Sequence, residues 1–157
     1  MDPSLRTGIF FGLTSGAITT LGLMVGLHSG TNSRTVVIGG ILTIAIADAF
    51  SDALGIHVSE ESEGDHTAKE VWVSTIATFL SKFILAISFL LPVLALPLET
   101  AILVSLAWGF SVLGILSYAI GKEQGHPLGT VAEHWGIAAI VVFITHYVGD
   151  WISHAFA

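Results

Sequence analysis

Asp48 and Asp52 lie four residues apart in an otherwise apolar stretch that runs from Thr35 to Val58. A carboxylate near the middle of a bilayer costs about 3 kcal/mol or more on insertion scales, so such groups turn toward protein or a wet cavity and commonly mark ion paths. The spacing places both on one helix face, about 40° apart at 100° per residue. Two carboxylates this close resist ionising together unless a cation joins them. The pair could therefore hold a cation or relay protons inside a membrane. Lys82 sits at similar depth in a later apolar stretch. It could form a structural ion pair with Asp48, or compete with a cation or proton for that carboxylate.

Other polar groups extend the pattern. The Asp48/Asp52 face continues through Gly55, Ser59 and Glu63 into a polar segment holding Glu60, Glu61, Asp65 and His66. Oxygen ligands with one imidazole suit hard or borderline divalent cations. The segment lacks the ordered spacing of an EF-hand, so a plain solvated loop has the same composition. His146, Asp150 and His154 follow at i, i+4 and i+8 on one face. They could ligate Zn²⁺, Fe²⁺, Mn²⁺ or Co²⁺, or lie at the outer interface where Tyr147 and Trp151 would form an aromatic belt. Lys82, His146 and Asp150 make a candidate secondary polar site. Glu133 and His134 read as interfacial. No HExxH, glycine-rich phosphate loop, GxSxG or paired-cysteine motif occurs. The chain is expected not to be an enzyme and to need no organic cofactor.

The elements that must carry these groups are membrane spans. Hydrophobic residues make up 53% of the 157 and charged ones 11%, with mean hydropathy +0.84; soluble domains carry about 25% charged residues. The net charge of −7 argues against a nucleic-acid partner. There is no cysteine for disulfides or thiolate sites. One all-α transmembrane domain over residues 1–157 is expected, with five helices at about 7–28, 34–58, 70–96, 99–121 and 128–156. An acidic cytoplasmic loop at 59–69 joins the second and third. The first apolar run is too long for a signal-peptide core. Arg6, Lys69 and Lys122 fall on one side and Arg34 on the other, which places the N terminus in the cytoplasm. In the first helix Gly8, Gly12, Ser15, Thr19, Gly22 and Gly26 share one face. Small residues at this spacing let helices approach closely in lipid, within the bundle or across a dimer axis.

Two stretches resemble a known family. Gly12-Leu13-Thr14-Ser15-Gly16-Ala17-Ile18-Thr19-Thr20-Leu21-Gly22-Leu23-Met24-Val25-Gly26 is similar to the first-helix signature of the vacuolar iron transporters, a family that includes the nodulin-21-like proteins. Ala47-Asp48-Ala49-Phe50-Ser51-Asp52-Ala53-Leu54-Gly55-Ile56-His57-Val58-Ser59 resembles its second-helix signature, and Tyr147-Val148-Gly149 its last helix. The resemblance implies a homodimer of five-helix subunits that moves Fe²⁺, and often Mn²⁺, out of the cytosol in exchange for protons. The path would run between the first helices. Ser15 stands where the family has an aspartate, and Asp52 where it has a methionine. Ile56 and His57 replace a glutamate and a tyrosine. One carboxylate is thus expected to have moved from the first helix to the second. Ligands of oxygen and imidazole without sulfur favour harder cations such as Mn²⁺ or Mg²⁺, or Fe²⁺ held differently.

The expected function is divalent-cation transport in the lipid bilayer, at a prokaryotic plasma membrane, by a homodimer joined through the first helix. Asp48 and Asp52 form the core of the metal site, with Glu60, Glu61, Glu63 and His66 at its cytoplasmic mouth. Ser15, Thr19 and Ser51 line the path. Two other classes stay open: a non-transporting subunit held by buried ion pairs, and a proton-coupled carrier of an organic solute.

Overall fold

Asp2 accepts hydrogen bonds from the backbone N–H groups of Ser4 and Leu5, at 3.0 and 3.2 Å, and Pro3 takes the first helical position. Both features favour a helix start, and α1 (Pro3–Thr31) begins there, four residues before its apolar run. The computed structural model describes residues 1–156, and Ala157, the last residue of the expected domain, lies outside the described residues. Among the described residues five more helices follow: α2 (Arg34–Glu63), α3 (Ala68–Ser88), α4 (Leu90–Ala95), α5 (Leu98–Gln124) and α6 (Pro127–Ala155). With α3 and α4 taken as one rod, five helices are long and apolar enough to cross a membrane. The chain is a multi-pass, all-α membrane protein.

Two expectations about the elements are corrected. The acidic segment 59–69 is mostly helix, because α2 continues through Glu63. Glutamate is a good helix former, and the stop comes at Gly64, which takes the left-handed conformation at φ 74°. Only residues 64–67 connect the helices. Thr67 and Glu70 then form a reciprocal capping box that starts α3. The third span is also broken. Pro92 lacks an N–H and its ring excludes the carbonyl four residues back. The helix ends at Ser88, Phe89 N–H bonds to Ala86 O at 3.2 Å, and α4 restarts at Leu90.

α1 is the central helix and touches α2, α3, α5 and α6. In its second half Ala17, Leu21, Met24 and Val25 pack with Val37, Ile41, Leu85, Phe89, Val93, Ala101 and Ile102 into the apolar core. Its first half packs by close approach. A Cβ on Gly8 would lie 2.7 Å from that of Ala77, and one on Gly12 would lie 2.6 Å from Thr78 O. Farther along, Gly22 faces Val141 and Gly26 faces Thr145 of α6. The glycine seam is therefore filled inside the subunit, by α3 below and α6 above. Of the two places expected for this seam, within the bundle or at a dimer axis, these contacts are the within-bundle ones. The outward faces of the rods carry Phe50, Leu54, Ile76, Ile84, Leu103, Ile115, Phe143 and other exposed apolar side chains, as a lipid-facing surface requires.

Polar contacts close both ends of the bundle. Arg6 Nη2 lies 2.5 Å from Glu123 Oε2, joining the start of α1 to the end of α5. At the other end His28 Nε2 lies 3.4 Å from Glu99 Oε2, and Arg34 Nη2 donates to Leu96 O at 2.7 Å. Arg6 and the α5–α6 connection thus share one end, and Arg34 stands at the other.

A buried charge cluster at mid-span

Asp48 and Asp52 fall near the middle of α2, Lys82 at the middle of the α3–α4 rod, and Ser15 near the middle of α1. Three elements deliver these groups to one point. α1 can approach α3 closely because Gly8, Gly12 and Gly16 carry no Cβ on that side. The Lys82 stem lies against Gly16, where a Cβ would stand 3.3 Å from its Cγ. α2 covers both helices with its Ala45–Ala49–Ala53 face, which is buried. That packing turns Asp48 and Asp52, one turn apart on the same side of the alanine ridge, toward Lys82.

The Lys82 ammonium is the hub. Its Nζ donates to Asp52 Oδ2 and, at 2.9 Å, to Ser15 Oγ. Ser15 Oγ donates in turn to Asp52 Oδ2 at 2.6 Å. Nζ also lies 2.5 Å from Asp48 Oδ2, as an ion pair without hydrogen-bond alignment, so that buried oxygen accepts no hydrogen bond. The expected Asp48–Lys82 pair is therefore present, but its better-aligned member is Asp52. Lys82 is only 1% exposed, whereas Asp48 and Asp52 are 27% and 19% exposed. A groove of about 530 Å³ between α1 and α2 reaches Asp48, lined by Thr19, Leu23, Leu27, Val36, Thr43 and Ala47 among others. It runs from mid-span toward the end that carries Arg34.

Ser15 and Thr19 both lie beside the charge cluster. Ser15 belongs to the cluster, and Thr19 borders the groove while donating to Ser15 O at 2.9 Å. Ser51 stays on the exposed side of α2. Ser15 of α1 and Asp52 of α2 are in direct contact.

The other predicted ligands do not join this site. Among the described residues no three histidine, aspartate or glutamate side chains converge as a metal-holding group. Glu60 is buried and accepts from Ser74 Oγ at 2.5 Å, about 12 Å along α2 from Asp52 at 1.5 Å per residue. Glu63 Oε2 lies 3.4 Å from His66 Nε2. Glu61 and His66 border a separate cavity of about 260 Å³ with His57 and Trp72. The proposed mouth is thus split between a buried glutamate and an exposed pocket. The grouping of Lys82 with His146 and Asp150 is corrected too. His146 Nδ1 lies 2.6 Å from Ser29 Oγ, about 21 Å along α1 from Ser15. Asp150 and His154 are exposed at the end of α6.

Two contributors were missed from the sequence. Ser74 holds Glu60, and His57 Nδ1 lies 2.9 Å from Thr75 Oγ1. The signal for the first was available: Ser74, Thr78 and Lys82 repeat at i, i+4 and i+8, and all three are buried on α3.

The VIT family model matches residues 5–72, which covers α1, α2 and the first turn of α3. Neither a curated protein nor a solved structure matches the chain. Ser15, Asp48 and Asp52 lie inside the matched segment, and Lys82 lies beyond it.

Proposed function

We propose that this chain, a vacuolar iron transporter family protein by its residues 5–72, carries divalent cations of the Fe²⁺/Mn²⁺ kind out of the cytosol. Membrane metal-ion transport is the activity that the family brings. The observation that carries the finer reading is the Asp48–Asp52–Ser15 set at mid-span, all hard oxygen donors, with one buried carboxylate oxygen accepting no hydrogen bond. Such a set suits Mn²⁺ or Fe²⁺ better than a soft ion. Carboxylates bind metal only when deprotonated, so metal capture releases protons and couples naturally to their exchange. The pocket of His57, Glu61 and His66 would collect the ion at the cytoplasmic end, and the α1–α2 groove would release it. The working unit is a homodimer in the plasma membrane. With the α1 glycines used internally, the small residues left exposed are Gly39, Thr43, Ala47, Ser51 and Gly55, spaced by four along α2. That stripe borders the groove and is the face we assign to the second copy.

The test is Mn²⁺ and Fe²⁺ flux through proteoliposomes. The wild-type chain should carry both ions, and Asp48→Asn and Asp52→Asn should each lose transport while remaining folded. Undiminished flux in both variants would remove these carboxylates from the path. A non-transporting subunit is the reading that follows if the wild type carries neither ion.

A further inference from the structure

We infer that Lys82 is a tethered stand-in for the transported cation: metal enters the Asp48–Asp52–Ser15 set by taking the place of the ammonium, so the two occupants exclude each other. This rests on the transport reading above and adds the residue that restrains the site. The position of Nζ carries the argument. It touches Asp52 Oδ2, Ser15 Oγ and Asp48 Oδ2, the same three oxygens that a hard cation at this point would need. An ammonium and a metal cannot share that space.

Charge favours the exchange. Two carboxylates with one ammonium leave one negative charge over, while two carboxylates with one divalent cation balance. In a low-dielectric interior an unbalanced charge is the costly state. Access has a direction as well. Asp48 faces the groove, whereas Lys82 lies wholly behind it. A cation leaving for the groove passes Asp48, the carboxylate that borders it. Occupying Asp52 requires the ammonium to leave its Oδ2. The lysine stem is flexible, and the face of α1 against which it lies is Gly16, where a Cβ would stand 3.3 Å from its Cγ. Lys82 also comes from outside the segment that matches the family, so the restraint is supplied by this chain's own third span. When the metal leaves, the ammonium returns and keeps the empty carboxylates compatible with the membrane interior.

The experiment measures Mn²⁺ binding to the purified full chain in detergent, together with Mn²⁺-dependent thermal stabilisation. Lys82→Met and Lys82→Gln should each bind Mn²⁺ at least tenfold more tightly than wild type and show a larger rise in Tm on adding the ion. Adding Asp52→Asn to Lys82→Met should abolish the gain. Wild-type affinity in either folded variant overturns the inference. Variants that fold only when Mn²⁺ is supplied support it, and variants that stay unfolded with or without Mn²⁺ make Lys82 a structural ion and overturn it. Flux through the wild type that is lost in Asp52→Asn, with no affinity gain in the lysine variants, keeps transport and removes the displacement. Tight binding by Lys82→Met with no wild-type flux does the reverse.

Discussion

At the scale of single residues, the buried ammonium sets the energetics of the site. Lys82 is almost fully buried between two carboxylates, and removing one member of a buried ion cluster costs about 3–5 kcal/mol. Lys82→Met should therefore destabilise the metal-free protein by about that much, because it leaves both aspartates without a counter-ion. Asp48→Asn should cost less, since Asp52 and Ser15 still hold the ammonium. The triple variant Lys82→Met/Asp48→Asn/Asp52→Asn should recover most of the loss. Denaturant unfolding in detergent ranks the variants, and equal stability of Lys82→Met and the triple would show that the charges do not interact. The aspartates and the lysine were each legible from the sequence, because charge in an apolar run stands out. Which aspartate the lysine prefers was not legible. That choice depends on the rotation of α2 about its axis, and Ser15 decides it by bridging to Asp52.

At the scale of elements, what each glycine faces decides its worth. Gly12 meets α3 so closely that an added Cβ would lie 2.6 Å from Thr78 O and strike Ser81 Oγ. Gly136, in the interior of α6, has nothing within 4 Å of such a Cβ. Gly12→Ala should then destabilise by about 1–3 kcal/mol through overpacking. Gly136→Ala should instead raise stability by up to about 1 kcal/mol through helix propensity. Thermal melts in one detergent compare the pair, and a neutral Gly12→Ala would show that α1 and α3 are not in such close contact. The seam was visible as a periodic face, but periodicity does not say which helix fills it. The split between α3 and α6 follows from the order in which the rods surround α1.

At the scale of the whole molecule, the two ends and the second copy are testable together, since the chain has no native cysteine. Single cysteines at Ser62 and Glu123 should be labelled from the cytoplasmic side of intact cells, and those at Asn32 and Thr100 from the opposite side. Labelling of Ser62 and Asn32 from the same side would contradict the spanning of α2. For assembly, cysteines at Gly39 and Gly55 should cross-link between copies, and one at Gly12, buried under α3, should not. Cross-linking through position 12 alone would return the axis to α1.

The sequence by itself determined that this is a five-span membrane protein, because long apolar runs and polar breaks are local properties and lipid admits few spanning structures. It also determined that Asp48 and Asp52 share a face, since helical geometry relates residues four apart whatever surrounds them. It did not place the helix ends at Glu63 and Ser88, which depend on the left-handed cap at Gly64 and on the ring of Pro92. Only the tertiary structure decided that Lys82 stands between the two aspartates, that Glu60 is withdrawn onto Ser74, and that His146 lies far from both. Those contacts join groups many residues apart in the chain. They depend on how each rod is rotated and how deeply it sits, and close packing around α1 fixes both.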